Sequence, residues 1–395
     1  MSEALLFDWG VSTSFGWGVF GLNLLRHWRS VADAPVYCGG QVHLESLSGM
    51  DPLSLRALTP ILLENCALRD HWAETMARNA GRFDGTVLYG LGNDLAGGLL
   101  PGQGGVRGRK TAGFVFFEDT AFKNAPAVAR QFGLILAGST WCESVLRAAG
   151  IDHVATVIQG IDPALFHPAP RSGALDGRFA VFSGGKLEIR KGQDLVLLAF
   201  RAFAERHPEA VLVTAWHSPW PAVAGTLNRN PNLEPLGLAG DGKVDAAGWA
   251  RANGLRDDQF IDVGSIPNHL MARVLREMDV ALFPNRCEGG TNLVAMECIA
   301  CGIPTIVSDN TGHRDLVALG APYPLTRQGR VALDGIGTEG WGESDVEEIV
   351  EALERVWADR SAARRRGLFG SSMMEDWTWS RQIGRLRDAL ATCPE

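Results

Sequence analysis

Two glutamates, a glycine pair and the start of a helix fall close together in Asn285–Val307, N-R-C-E-G-G-T-N-L-V-A-M-E-C-I-A-C-G-I-P-T-I-V. The pattern predicts a strand end, a turn at Gly289-Gly290, a helix opening near Thr291 and then a further strand. A turn that runs straight into a helix presents unpaired N–H groups and the positive end of the helix dipole, which suit an anion such as a diphosphate. Glu288 before the turn and Glu297 on the helix add two acceptors for hydroxyl groups. A ligand with phosphate at its centre and hydroxyls at its edges, a nucleotide-sugar, fits that set.

A second cluster lies at Phe179–Gly192, F-A-V-F-S-G-G-K-L-E-I-R-K-G. Here a strand runs into Gly184-Gly185, and Lys186 and Lys191 follow with Arg190 between them. Such cations stabilise the charge that builds on a departing nucleotide; the alternative is a set of solvated side chains. A third feature is G-W-G-V-F-G, with Gly16, Gly18 and Gly21. Alone, this spacing is weak support for a dinucleotide site. Gly16 follows Asp8 by eight residues, and the next strand ends in Cys38-Gly39-Gly40 without an acid to hold a ribose. A loop that lets backbone approach a ligand fits better than a dehydrogenase; close packing on a sheet is the other reading.

The elements that must hold these groups are strands alternating with helices. Strands are expected near Ala4–Phe7, Pro35–Tyr37, Thr86–Tyr89, Gly113–Phe117, Leu134–Ala137 and Ala155–Ile158, with helices at Gly18–Trp28, 68–80 and Trp141–Ala149 among those between them. His167–Gly177, rich in Pro and Gly, breaks the pattern and reads as a linker. Strands resume at Phe179–Phe182, Ala210–Ala215, Phe260–Val263, Val280–Phe283 and Thr305–Val307, with helices at Gln193–His207, His269–Met278 and Asp345–Asp359. The fold class expected is therefore α/β, with two doubly wound Rossmann-like domains facing across a cleft. The boundaries expected are 1–168, 169–376 and a terminal helix in 377–395 that folds back over the first domain. Ligands of open α/β sheets bind beyond the carboxyl ends of the strands, and most of the motifs above follow a strand.

Composition narrows the function classes. With 395 residues, two domains is the default, and 37 Lys/Arg against 45 Asp/Glu gives a net charge of −8, which argues against a nucleic-acid partner. The first 165 residues are acidic on balance and lack the basic excess that would hold an anionic membrane. No apolar run reaches the length of a membrane span, and Met1–Phe7 lacks a secretory pattern. Seven cysteines without a regular framework suit a cytoplasmic location. Cys298-x-x-Cys301 reads as helix packing rather than a metal site, since no second pair or His cluster accompanies it.

The segments Ser183–Gly192 and Glu288–Pro304 resemble the G-R-L-x-x-x-K-G and E-G-F-G-L-P-x-x-E-A-M-A-C-G-x-P elements of a GT-B glycosyltransferase family. This is the large retaining family, family 4 and its relatives, that includes sucrose synthase, glycogen synthase and bacterial mannosyltransferases. The resemblance spans nearly the whole chain. It implies that Lys186 and Lys191 bind the donor diphosphate, Glu297 the nucleotide ribose and Glu288 the donor sugar. The amides of Gly289, Gly290, Thr291, Asn292 and Leu293 would reach diphosphate and sugar, and the backbone near Ile266 would face the nucleobase. Gly16, Gly18, Gly185 and Arg190 complete the donor side, and Trp377-Thr378-Trp379 resembles the start of the terminal crossover helix.

Two departures stand out. Eight residues separate Glu288 from Glu297, against seven in the family pattern, so either a bulge at Gly289-Gly290 restores the register or Glu288 is a loop carboxylate. Where relatives carry a His that touches the donor sugar, this chain has Glu118-Asp119. A carboxylate there would stabilise an oxocarbenium-like transition state; a helix N-cap at Asp119 is the alternative. Gln159 stands where a His is common, and Trp9 and Trp17 are candidates for stacking on sugar faces.

The expected activity is transfer of a sugar from a nucleotide diphosphate-sugar to an acceptor, with retention implied by the family. No D-x-D triplet occurs, so no metal or other cofactor is expected, the cations and the helix dipole taking its place. A sugar-nucleotide epimerase, a phosphorylase of similar build, or a non-catalytic nucleotide-sugar-binding protein would show the same alternation. Acceptor recognition is assigned to residues 41–60 and 92–108, where Arg107, Arg109 and Lys110 form a basic cluster beside an anionic acceptor or in solvent. Nothing in the residues specifies nucleobase, sugar, acceptor or oligomeric state.

Overall fold

Strands that are apolar along their whole length are buried on both faces, and this chain builds two all-parallel sheets from them. A computed structural model describes residues 3–40, 42–78, 82–97 and 106–395, with no account of the side chains of 44 and 66–78. The first sheet contains β1 (Leu5–Phe7), β2 (Val36–Cys38), β3 (Arg82–Leu91), β4 (Arg107–Val115), β5 (Leu134–Ala137) and β6 (Val154–Thr156), in the order β2-β1-β3-β4-β5-β6. The second contains β7 (Phe179–Lys186), β8 (Ala210–His217), β9 (Phe260–Asp262), β10 (Val280–Phe283), β11 (Thr305–Ser308) and β12 (Tyr323–Leu325), ordered β12-β11-β10-β7-β8-β9. Leu5, Phe7 and Leu88 face one apolar layer of the first sheet, while Leu6 and Val87 face the other. In the second sheet Val181 and Leu282 lie on one side, Ala180 and Ala281 on the other.

Strand order reverses between β1 and β3 and between β7 and β10. Chains leaving neighbouring strands there diverge to opposite faces and open a crevice. The two crevices face each other, so the loops after β1, β3, β4 and β6 meet those after β7, β8, β9 and β10.

The terminal helix Trp379–Ala391 returns to the first domain. Trp379, Ile383, Leu386 and Leu390 recur at helical spacing and are buried in the same cluster as Leu24, Leu25 and Trp28 of the Gly16–Ala32 helix. Trp379 stacks on Phe20, with ring centroids 5.7 Å apart. A bridge pairs Ile161 with Thr378, so the chain passes between the domains at adjacent points.

Several bounds differ from expectation. Gly184 and Gly185 lie inside β7 rather than in a turn after it. The helix expected over 68–80 is Pro52–Arg78, 27 residues with Pro60 inside, so residues 52–60 are helix rather than acceptor loop; 79–80 lie outside the described residues. Arg107, Arg109 and Lys110 sit at the amino end of β4, away from the cleft. There Arg107 reaches the Gln131 carbonyl, and Arg109 pairs with Asp84 at 3.2 Å. Of the loop at 92–108, residues 98–105 lie outside the described residues, as does residue 41. Cys298 and Cys301 are buried in the apolar core, and no metal-binding group of His, Cys, Asp and Glu occurs among the described residues. Among those residues no helix is long and apolar enough to cross a membrane.

Candidate active site

A cavity of about 600 Å³ lies between the domains. Its second-domain wall begins where β7 ends at Lys186 and turns through Ile189–Lys191, with Gly192 at φ 71°. That turn places Lys186, Arg190 and Lys191 on the cavity. Gly185 lines it too, at φ 126°, a region that favours glycine.

These cations meet three carboxylates. Lys186 Nζ lies 3.0 Å from Glu188 Oε2 and 5.5 Å from the centroid of the Trp220 ring. Lys191 Nζ lies 2.5 Å from Glu288 Oε1. Arg190 bonds Glu188, lies 3.4 Å from Glu288 Oε2 and 3.3 Å from Glu118 Oε1, and donates to the Cys287 carbonyl at 2.9 Å. Three cationic side chains and three carboxyl groups thus pair with one another at the centre of the cleft.

The pairing separates the carboxylates by acidity. Burial alone would raise Glu288, but Lys191 and Arg190 outweigh it and hold the pKa at about 2. Burial likewise opposes the lowering of Glu188, and Arg190 and Lys186 prevail. At Glu118 burial wins over Arg190, helped by Glu188 and Glu288, and the pKa rises. Among the described residues no cation pairs with Glu297: burial lifts it to about 8, only partly offset by the Asn268 amide, which donates to Oε1 at 2.5 Å.

The glycine pair works by close approach rather than by unusual backbone. A Cβ on Gly289 would stand 2.4 Å from the Phe117 carbonyl oxygen, and one on Gly290 would stand 2.9 Å from the Phe116 ring. Neither residue has positive φ; that conformation falls on Asn292, at φ 61°. The left-handed residue of this turn is thus Asn292 rather than a glycine, and both Glu288 and Glu297 line the cavity. Ser139 Oγ, from the first domain, donates to the Gly289 carbonyl at 2.7 Å and pins the turn.

The helix expected near Thr291 runs Leu293–Ala300, capped by Asn292, whose Oδ1 accepts from Ala295 N at 3.3 Å. Among the described residues, the Leu293 and Val294 amides have no protein partner and belong to residues on the cavity. Thr291 itself is fully buried, its hydroxyl donating to Met296 Sδ at 2.9 Å, and Gly289 also lies off the cavity.

On the first-domain side Gly16, Trp17, Phe116, Glu118 and Gln159 line the cavity. Gly16 is the first residue of its helix, after Phe15 with no side-chain cap. Gly18 is off the cavity, because a Cβ there would meet Ser12 N at 2.7 Å; it is a packing glycine. Trp9 is 1% exposed, packed on Phe7 and Phe20, and is not available to a ligand. Asp119 caps no helix: its Oδ1 accepts from Ala121 N and from Gly337 N, both at 2.8 Å. Ile266 and Asn268 both line the cavity.

Sequence reasoning passed over Glu188, His217, Trp220 and Asn268, which all line or pair at the cavity. Glu188 was visible as a carboxylate between two cations. Trp220 and Asn268 lie beyond other strands, and nothing local marked them.

Comparison with known proteins follows the same outline. Residues 267–386 match the model of "Family 4 Glycosyltransferase in conflict systems". The chain is 26% identical over 260 residues to a GDP-mannose-dependent alpha-(1-6)-phosphatidylinositol monomannoside mannosyltransferase of Mycolicibacterium smegmatis, covering 62% of this chain and 57% of that protein. The chain thus spans little more than half the length of that curated relative. Among solved structures, sucrose-phosphate synthase from Thermosynechococcus elongatus superposes with TM-score 0.63 at 15% identity, covering 97% of each chain. Anabaena Alr3699/HepE in complex with UDP gives 0.63 at 13% identity, over 98% of this chain and 99% of that one. The paired parallel sheets, the facing crevices and these likenesses identify the architecture as the GT-B fold of family 4-like, group 1 glycosyltransferases.

Proposed function

We propose that the protein is a glycosyltransferase that moves a sugar from a nucleoside diphosphate-sugar to an acceptor, with retention and without a metal ion. One observation carries the reading: Lys186, Arg190, Lys191 and the free Leu293 and Val294 amides border the same cavity as Glu288 and Glu297. The mannosyltransferase relatives and the UDP-bound structural neighbours support it at the level of donor class.

Breaking the bond to the anomeric carbon leaves negative charge on the diphosphate and positive charge on the sugar. Lys186, Lys191 and the helix end stabilise the first; Glu118, across the cleft, faces the second. As the diphosphate takes over the lysines, Glu188 and Glu288 give up those partners, and Glu288 turns to sugar hydroxyls. Glu297, protonated near neutral pH, is suited to exchange hydrogen bonds with the ribose. The first-domain wall of Trp17 and Phe116 receives the acceptor, with Gly16 approaching the donor.

The test is incubation with GDP-, UDP- and ADP-sugars, with and without candidate acceptors, and detection of free nucleoside diphosphate and glycosylated product. Acceptor-dependent release that survives EDTA supports the proposal, and release that needs a divalent ion overturns its metal-independent part. An epimerised nucleotide-sugar without diphosphate release points to the epimerase alternative. Binding without turnover across the panel overturns catalysis.

A further inference from the structure

His313 lies fully buried behind the turn that carries the free amides, and its surroundings fix the position of its proton. Ser308 Oγ is 2.7 Å from the Asn285 carbonyl, which can only accept, so the serine proton points there. Ser308 Oγ is also 2.9 Å from His313 Nδ1 and, its proton committed, must accept. Nδ1 therefore carries a hydrogen. Burial lowers the imidazole pKa to about 4, with Lys191 and Arg190 adding to that effect and Glu288 opposing it, so the ring holds one proton at neutral pH. Nε2 is then a bare acceptor, 3.0 Å from Asn292 Nδ2, which donates. Asn292 Oδ1 faces the other way and accepts from Ala295 N.

We propose that His313 is a positioning residue for the diphosphate-binding turn: a one-way chain from Ala295 N through Asn292, His313 and Ser308 to the Asn285 carbonyl holds Asn292 in its left-handed conformation. This rests on the donor reading above. Outside glycine, asparagine tolerates left-handed backbone best, because its side-chain amide can be hydrogen-bonded in place. Here the side-chain amide is clamped at both ends, by the helix it caps and by the imidazole. The clamp fixes where the Leu293 and Val294 amides point. The other tautomer would set two donors face to face at Asn292 and break the clamp.

The experiment has two parts. Nitrogen-15 NMR of the imidazole in the full chain should show His313 protonated at Nδ1 and bare at Nε2 near neutral pH. A proton on Nε2 overturns the relay, whether or not any variant folds. In the second part, binding of GDP, UDP and ADP is measured for His313→Gln and His313→Asn alongside Tm. A glutamine oxygen reaches the Nε2 position and still accepts from Asn292, whereas an asparagine reaches only Ser308. His313→Asn should therefore bind the nucleotide about tenfold more weakly than His313→Gln at comparable Tm. Equal affinity in the two variants overturns the assignment. Wild-type protein that binds none of the three overturns the donor reading and the purpose given to the clamp, while the tautomer still decides whether the chain of bonds exists.

Discussion

Glu118 of the first domain and Arg190 of the second meet at 3.3 Å across the cleft. Arg190 also pairs with Glu188 and Glu288, so one guanidinium joins the second domain's charged cluster to the domain contact. Any anion that draws on Arg190 alters the grip between the halves as well as the charge balance of the cavity. Truncating a carboxylate here therefore has two effects, which binding and turnover separate.

For Glu118→Gln the expected outcome is a fall in kcat of roughly 10–100-fold, because a carboxyl can ionise as positive charge builds on the sugar and an amide cannot. The Kd for nucleoside diphosphate should stay within about threefold, since the proposed function puts Glu118 at the sugar rather than the nucleotide. Isothermal titration beside steady-state kinetics checks both, and an unchanged kcat removes Glu118 from the mechanism.

Lys191→Ala removes the cation nearest Glu288. Transfer should drop by roughly 10²–10³-fold, as leaving-group charge loses its closest partner. Glu288 should also titrate higher, because burial is then opposed by Arg190 with less help. Single-turnover rates and the acid limb of the pH profile report the two effects.

Glu297 gives a pH signature in stability. Its carboxyl rises from 4.5 to about 8 on folding, so between those values the folded chain holds a proton the unfolded chain lacks. Stability must then fall as pH rises through that window, by at most about 1.4 kcal/mol per pH unit. Glu297→Gln should flatten the slope relative to wild type in urea titrations at pH 5, 6.5 and 8. Parallel slopes for the two proteins would contradict the burial argument.

Gly289→Ala places a methyl 2.4 Å from the Phe117 carbonyl, on backbone that cannot rotate away. Overpacking of this kind costs about 1–3 kcal/mol. Chemical denaturation measures it, and wild-type stability would mean that the domains separate there readily.

The alternation of apolar runs with helices was enough to foresee two parallel sheets, because strands buried on both faces must read that way. Glu288, Glu297, Lys186 and Lys191 were legible as a group because each lies at or beyond the carboxyl end of a strand, and those ends converge on the cleft. What stayed hidden depended on distant partners. Thr291 looks like a helix start but is buried under Met296, and Trp9 looks like a sugar platform but fills the core. The extra residue between the glutamates suggested glycine flexibility, yet the turn uses Asn292, held from 21 residues away by His313. Periodicity carries no trace of such contacts.

The Trp379–Ala391 helix has a consequence for biosynthesis. It fills the core of the domain built from the opening residues, covering Phe20 and lying along the Gly16–Ala32 helix. The half to which it docks therefore stays unsealed until residues 379–391 have been made and have folded back. Until then an apolar groove stays open on that half, available to a chaperone or to a neighbouring copy.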